Sequence, residues 1–124
     1  MELKYYRCKS CGSVATFIGG GCESISCCGE RMEPIVPGST DASQEKHVPV
    51  CTVENGKAEV AVGSVAHPML EEHFIEWISL ETRNGVQFKK LNPGDEPKAT
   101  FLLAEGDEVT AVLAYCNLHS LWKA

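Results

Sequence analysis

The sequence predicts a mainly β protein: a small cysteine-rich metal module followed by an antiparallel sandwich or barrel. Three observations predict it. Short β-branched segments recur between turn dipeptides. The front segment is rich in cysteine and glycine, with Cys8 and Cys11 spaced C-x-x-C and Cys27 beside Cys28. Behind it stand His47, His67, His73, Cys116 and His119, a second group of soft ligands of different character.

The elements follow in order. Tyr5, Tyr6 and Val14 to Ile18 suit short strands, and Gly19, Gly20 and Gly21 mark a turn before Cys22. Pro34, Pro37 and Gly38 break any regular element. The boundary is therefore set near residue 37, with a metal module at 1–37 and the β domain at 38–124. Val48 to Val53 is valine-rich, and Asn55-Gly56 is the dipeptide of a tight hairpin because both residues tolerate positive φ. Glu59 to Val65 alternates in part. Phe74 to Leu80 is apolar on both faces, as a central strand is. Asn84-Gly85 signals a second hairpin before Val86 to Leu91. Ala99 to Leu103 resumes after Pro93-Gly94 and Pro97. Val109, Ala111, Leu113 and Tyr115 share a parity and define the last expected strand. Glu105 to Glu108 has the look of a helical start, which Gly106 argues against.

The totals bound the function. The chain has 124 residues, enough for one ordinary domain or a very small module plus a domain of roughly 85 residues. A module of roughly 35 residues buries too little apolar surface to stand alone, so a metal there is also structural. No apolar run approaches the roughly 20 residues of a membrane span. Met1 to Arg7 lacks a signal-peptide core. The expectation is a cytoplasmic protein, where thiols stay reduced and clustered cysteines bind metal. Seven cysteines, an odd number, also suit a closed disulfide framework poorly. Eleven Lys and Arg against seventeen Asp and Glu give a net charge of −6, with no basic run to bind nucleic acid. A single local lysine can still attract a small anion.

Cys8, Cys11, Cys27 and Cys28 suit a tetrahedral site for zinc or iron. Gly12 and Gly29 follow the two pairs and permit close backbone approach. Adjacent side chains diverge in extended chain, so the backbone must bend for Cys27 and Cys28 to share an ion. Cys22 fits neither pair. In the second group, four neutral imidazoles and one thiolate suit iron better than a closed tetrahedral zinc site. Five ligands on an octahedral ion leave one position open for inner-sphere chemistry.

The segments Glu45-Lys46-His47-Val48-Pro49-Val50, Gly63-Ser64-Val65-Ala66-His67-Pro68-Met69, Glu72-His73-Phe74-Ile75-Glu76-Trp77-Ile78 and Tyr115-Cys116-Asn117-Leu118-His119 resemble the superoxide reductase family. The front part, with Cys8-x-x-Cys11 and Cys27-Cys28-Gly29, resembles the desulforedoxin-like domain of that family's two-iron form. The resemblance runs in order over nearly the whole chain. It implies an immunoglobulin-like β-sandwich behind the front domain, and one-electron reduction of superoxide to hydrogen peroxide. It implies two irons per chain. One is held by the four cysteines of the front module. The other is held by four histidines and one cysteine, with His47, His67, His73 and His119 equatorial and Cys116 axial. Glu45 matches a glutamate that occupies the sixth position in the oxidised state, and Lys46 a lysine near the open site. A rubredoxin-like donor and a homodimer are further implications. Cys22 and Cys51 lie outside the family ligand set.

Two other readings compete. A superoxide dismutase needs both half-reactions, whereas an axial thiolate favours reduction. A non-catalytic electron carrier or structural zinc module consumes no superoxide. A zinc peptidase is disfavoured because no H-E-x-x-H motif occurs.

Overall fold

The structure, a computed structural model, describes residues 2–22 and 24–124. Two compact units emerge, Glu2–Val36 and Pro37–Ala124. In the first, β1 (Tyr5–Arg7), β2 (Val14–Thr16), β3 (Ser26–Cys27), β4 (Glu30–Arg31) and β5 (Glu33–Ile35) are all very short. They form a three-stranded sheet in the order β2-β1-β5 and a β3-β4 ribbon, both antiparallel. Tyr6, Cys8 and Met32 make the small buried cluster, with Ala15, Phe17, Ile25 and Cys27 packed against it. A metal-type side chain is thus part of this unit's core.

Two expectations change here. Pro34 does not break the chain: it lies inside β5, opposite Tyr6. Proline is tolerated in a strand at a sheet edge, and β5 is an edge. The second strand stops at Thr16 rather than Ile18 because Thr16 pairs with Tyr5, where β1 begins. Ile18 is left 86% exposed.

The second unit opens with a single helical turn, α1 (Gln44–His47), too short to leave a periodic signature in the sequence. β6 (Pro49–Glu54) and β7 (Lys57–Val62) follow, then β8 (Ile75–Thr82), β9 (Val86–Lys90), β10 (Lys98–Leu102), β11 (Val109–Cys116) and β12 (Ser120–Lys123). Two antiparallel sheets result, ordered β10-β7-β6 and β12-β11-β8-β9. Their facing sides share one core: Ala58, Val60, Val62, Ala99 and Phe101 from one sheet, and Ile75, Ile78, Leu80, Val112, Ala114 and Cys116 from the other. This is the expected sandwich, with alternate residues of each strand turned inward. No helix among the described residues is long and apolar enough to cross a membrane.

The two Asn-Gly pairs diverge. Asn55 (φ 51°) and Gly56 (φ 72°) form the two-residue loop between Glu54 and Lys57, as expected of a twisted hairpin. Asn84-Gly85 sits instead in a wider loop closed by Thr82 N–H to the Gly85 carbonyl at 2.8 Å. Asp107 captures the Asn84 N–H from a neighbouring loop, so tertiary contact overrides the local turn preference. Glu105 and Gly106 form a turn, with Gly106 at φ 80°. The expected last strand is followed by another. β12 pairs with β11 through a turn whose positive-φ residue is Ser120 (φ 66°), so no glycine announced it.

Candidate metal centres

Three of the front cysteines lie on turns or loops, and Cys27 ends the two-residue strand β3. Cys8, Cys11, Cys27 and Cys28 bring their sulfurs within 4.8 Å of one another. Cys8 N–H donates to the Ser13 carbonyl and Gly12 N–H to the Cys8 carbonyl, both at 2.9 Å, closing the C-x-x-C turn. The bend required between adjacent cysteines is present: Cys28 takes φ 55° and Gly29 φ 75°. Glycine serves here for its positive φ and not for close approach, since nothing lies within 4 Å of a Cβ built on Gly12 or Gly29. Cys11 and Cys27 sulfurs are 3.6 Å apart, Cys27 and Cys28 3.8 Å. Four thiolates bound at about 2.3 Å in a tetrahedron stand about 3.8 Å apart, so the donor set fits one ion. The Ser13 hydroxyl, 3.0 Å from the Cys11 sulfur, and the Ser13 backbone push the Cys11 thiol down to about 6. Hydrogen bonds from Cys11 and Cys8 push Cys27 up to about 12. Cys22 stays outside the cluster, its thiol donating to the Ser24 carbonyl at 3.2 Å. Cys51 packs against the sandwich core, and burial raises its thiol.

The rear group is built from four separate parts of the second unit: α1, the loop after β7, the segment just before β8, and the end of β11 with the turn that follows it. Ring centroids run His47–His67 4.7 Å, His67–His73 4.7 Å, His73–His119 5.1 Å and His119–His47 4.9 Å, each pair nearly perpendicular. The diagonal His47–His73 is 6.4 Å. The imidazoles therefore stand at the corners of a square, with His47 opposite His73. Cys116, fully buried, brings its sulfur within 4.8 Å of the donor atoms of His47, His67 and His73. It lies 4.0 Å from His119 Nδ1.

The tautomers follow from the hydrogen bonds. His47 Nδ1–H donates to the Ser43 carbonyl and His67 Nδ1–H to the Pro68 carbonyl, both at 2.6 Å. A carbonyl only accepts, so each Nε2 carries a lone pair. Those two Nε2 atoms face each other at 3.2 Å with no proton to share. Burial lowers both imidazoles, His67 to about 4, so neither relieves the conflict by protonation near neutrality. His73 Nε2 is likewise buried with no hydrogen-bond partner. A cation at the centre answers all three. Donors about 2.1 Å from one ion in a square plane stand about 3.0 Å apart. The observed separations from His47 Nε2 are 3.1 Å to His119 Nδ1 and 3.2 Å to His67 Nε2.

Several positioning residues had no clear signal in the sequence. Asn117 clamps the chain on both sides of His73: its Oδ1 accepts from Phe74 N–H at 2.9 Å and its Nδ2 donates to the Glu72 carbonyl at 3.1 Å. A register shift between Tyr115 and Cys116 sets Cys116 opposite Ile75. Burial raises the Cys116 thiol, while the backbone N–H groups of His119 and Leu118 oppose that rise. Trp122 stacks on His47 with centroids 4.9 Å apart and donates from Nε1 to the His119 carbonyl at 2.9 Å. Gly63 is required by space. A Cβ there would lie 2.6 Å from the Glu45 carbonyl and 2.9 Å from that of Val48, both backbone atoms of the turn that carries His47.

Glu45 and Lys46, both exposed, stand on that same turn. The Lys46 charge lowers His47 and His73, so its field reaches two opposite corners of the square. Among the described residues no carboxylate pairs with it.

A β protein with one four-sulfur cluster and one square of imidazoles over a buried thiol offers the donor sets of two metal centres. The model of the family described as Desulfoferrodoxin matches residues 39–124. A desulfoferrodoxin homolog of Archaeoglobus fulgidus is 45% identical over 122 residues, covering 98% of this chain and 96% of the relative. The desulfoferrodoxin of Nitratidesulfovibrio vulgaris is also 45% identical, over 124 residues, covering 99% and 96%. The superoxide reductase of Treponema pallidum superposes with a TM-score of 0.85 at 36% identity, covering 100% of this chain and 99% of that one. The chain belongs to the desulfoferrodoxin family, and its fold is a desulforedoxin-like domain followed by a β-sandwich.

Proposed function

We propose that the protein is a superoxide reductase, reducing superoxide with one electron and two protons to hydrogen peroxide. The observation that carries this reading is the square of imidazoles beside a buried thiol, with a lysine on the adjoining turn that no carboxylate pairs with among the described residues. His47, His67, His73, His119 and Cys116 would hold the metal. Iron bound there would supply the electron to the substrate. Cys116 serves as a thiolate, and the N–H groups of Leu118 and His119 steady its charge. Lys46 draws the superoxide anion toward the site against the chain's net charge of −6 and organises water that delivers protons. Glu45, on the same turn, would offer its carboxylate to the oxidised iron.

Cys8, Cys11, Cys27 and Cys28 hold a second iron, so that each chain carries two. The front domain spans 1–37 and the catalytic domain 38–124. The donor is a rubredoxin-like protein, the assembly a homodimer and the compartment the cytoplasm.

An anaerobic titration of the visible spectrum, followed by exposure of the reduced protein to a superoxide flux, tests this. Two separable thiolate-to-iron bands are expected, with one superoxide consumed and one peroxide formed per reduced rear site. Oxygen evolution without added electrons would indicate dismutation instead. A colourless protein after iron reconstitution would leave only the zinc module.

A further inference from the structure

We propose that Trp122 is a positioning residue of the rear centre, joining two of its corners so that the square is assembled before metal arrives. The inference rests on reading that centre as a metal site. The four imidazoles are not held alike. His47 and His67 are pinned through their own Nδ1–H groups to nearby carbonyls. The His119 ring has no such bond to a carbonyl among the described residues; its contacts run from Nδ1 toward His47 and Cys116. What holds His119 is its backbone: its N–H faces the Cys116 thiol, and its carbonyl accepts from the Trp122 indole N–H at 2.9 Å.

The same indole lies face-on to His47, 4.9 Å away and tilted by 29°. Trp122 is 3% exposed, and a buried indole N–H needs an acceptor. Its one donor is directed to the turn that carries His119, while its face covers the imidazole from α1. His47 and His119 come from opposite ends of the second unit, 72 residues apart in sequence, yet their donor atoms stand 3.1 Å apart. Trp122 touches both. Its backbone place is fixed by pairing with Ala114 on β11, two residues before Cys116. One side chain thus registers the helical turn, the β11–β12 turn and the strand that bears the thiol.

Two variants separate the two contacts. Trp122→Phe keeps an aromatic face for His47 and loses the bond to His119; Trp122→Leu loses both. Each is made in the full chain and loaded with iron. Each is then titrated in the ferrous state with a ferrous chelator to read affinity, and the thiolate-to-ferric band of the rear centre is recorded on an oxidised sample. Removing groups that orient metal ligands typically costs about 10-fold to 100-fold in affinity. The expected order is therefore wild type, then Phe about 10-fold weaker, then Leu about 100-fold weaker, with a shifted band in both. A structural role alone would lower the urea midpoint without moving the band. Wild-type affinity and an unshifted band in folded Trp122→Phe would overturn the proposal, and that variant decides the matter if Trp122→Leu does not fold. A wild-type protein that binds no iron at the rear site would sink the metal reading and this inference together, whereas equal binding by wild type and variants sinks the inference alone.

Discussion

In Glu2–Val36 three of the four cluster thiols reach solvent, and the fourth, Cys8, is one of three buried members of a small apolar group. In the second unit His47, His67 and Cys116 are 3%, 2% and 0% exposed and stand against a two-sheet core. The front sulfurs sit on turns and at the end of the two-residue strand β3, with only a small apolar cluster behind them. The rear donors are placed by ring hydrogen bonds, an indole and an asparagine against the sandwich core. Metal is therefore expected to carry more of the fold at the front cluster than at the rear one.

The sharpest way to break that contrast is to remove one sulfur from each. Cys8→Ser is expected to abolish front metal and the hydrogen-exchange protection of β1, β2 and β5. Cys116→Ser is expected to abolish rear metal while β8 and β11 stay protected. Loss of protection throughout the sandwich in Cys116→Ser would mean that the rear centre is structural too.

Gly63→Ala asks whether the rear site depends on backbone fit. Its Cβ would meet two backbone carbonyls at 2.6 and 2.9 Å, which cannot rotate away. A destabilisation of about 1–3 kcal/mol is expected from such overpacking, with rear metal content falling before front metal does. Urea unfolding and metal analysis on one preparation check this.

Lys46→Ala leaves both centres loaded. It is expected to slow superoxide capture about 10-fold at low salt and to flatten the dependence of rate on ionic strength, as loss of a local steering charge does. An unchanged salt dependence in pulse experiments would remove Lys46 from that role.

The pH response separates the units further. Burial lowers His47, His67 and His73 in the folded chain, His67 from 6.5 to about 4. Between those values the unfolded chain binds more protons than the folded one. Stability of the metal-free protein is therefore full above about pH 6.5 and is lost as pH falls through about 4. The urea midpoint of the sandwich should drop between pH 7 and pH 4.5, and a His67→Gln variant should show a shallower drop.

The smallest effect concerns Ser13. Its hydroxyl lies 3.0 Å from the Cys11 sulfur, and hydrogen bonds to thiolate ligands favour the reduced cluster. Ser13→Ala is expected to lower the potential of the front centre and leave the rear one unmoved. Equal shifts in both would show that the two centres are electronically linked.

Much of this was legible in the order of residues. The strands β6 to β11 were marked by β-branched runs between turn dipeptides, because a period-2 surface and a tight turn each demand particular side chains locally. All nine metal-type residues were visible by type and by resemblance. What stayed hidden was short or non-local. α1 has four residues, β12 is announced by Ser120 rather than glycine, and Pro34 is harmless only because β5 is an edge. The same Asn-Gly dipeptide made a tight hairpin at 55–56 and a wide loop at 84–85 once Asp107 took the Asn84 N–H.

By itself, then, the sequence determined the β class, the donor inventory and the family, since these depend on residue type and near-neighbour spacing. Only the tertiary structure decided which histidines face across the square, which ring nitrogen each presents, and that Gly63, Asn117 and Trp122 keep them there. Those depend on contacts between segments far apart in the chain, such as His47 with His119, which local spacing does not encode.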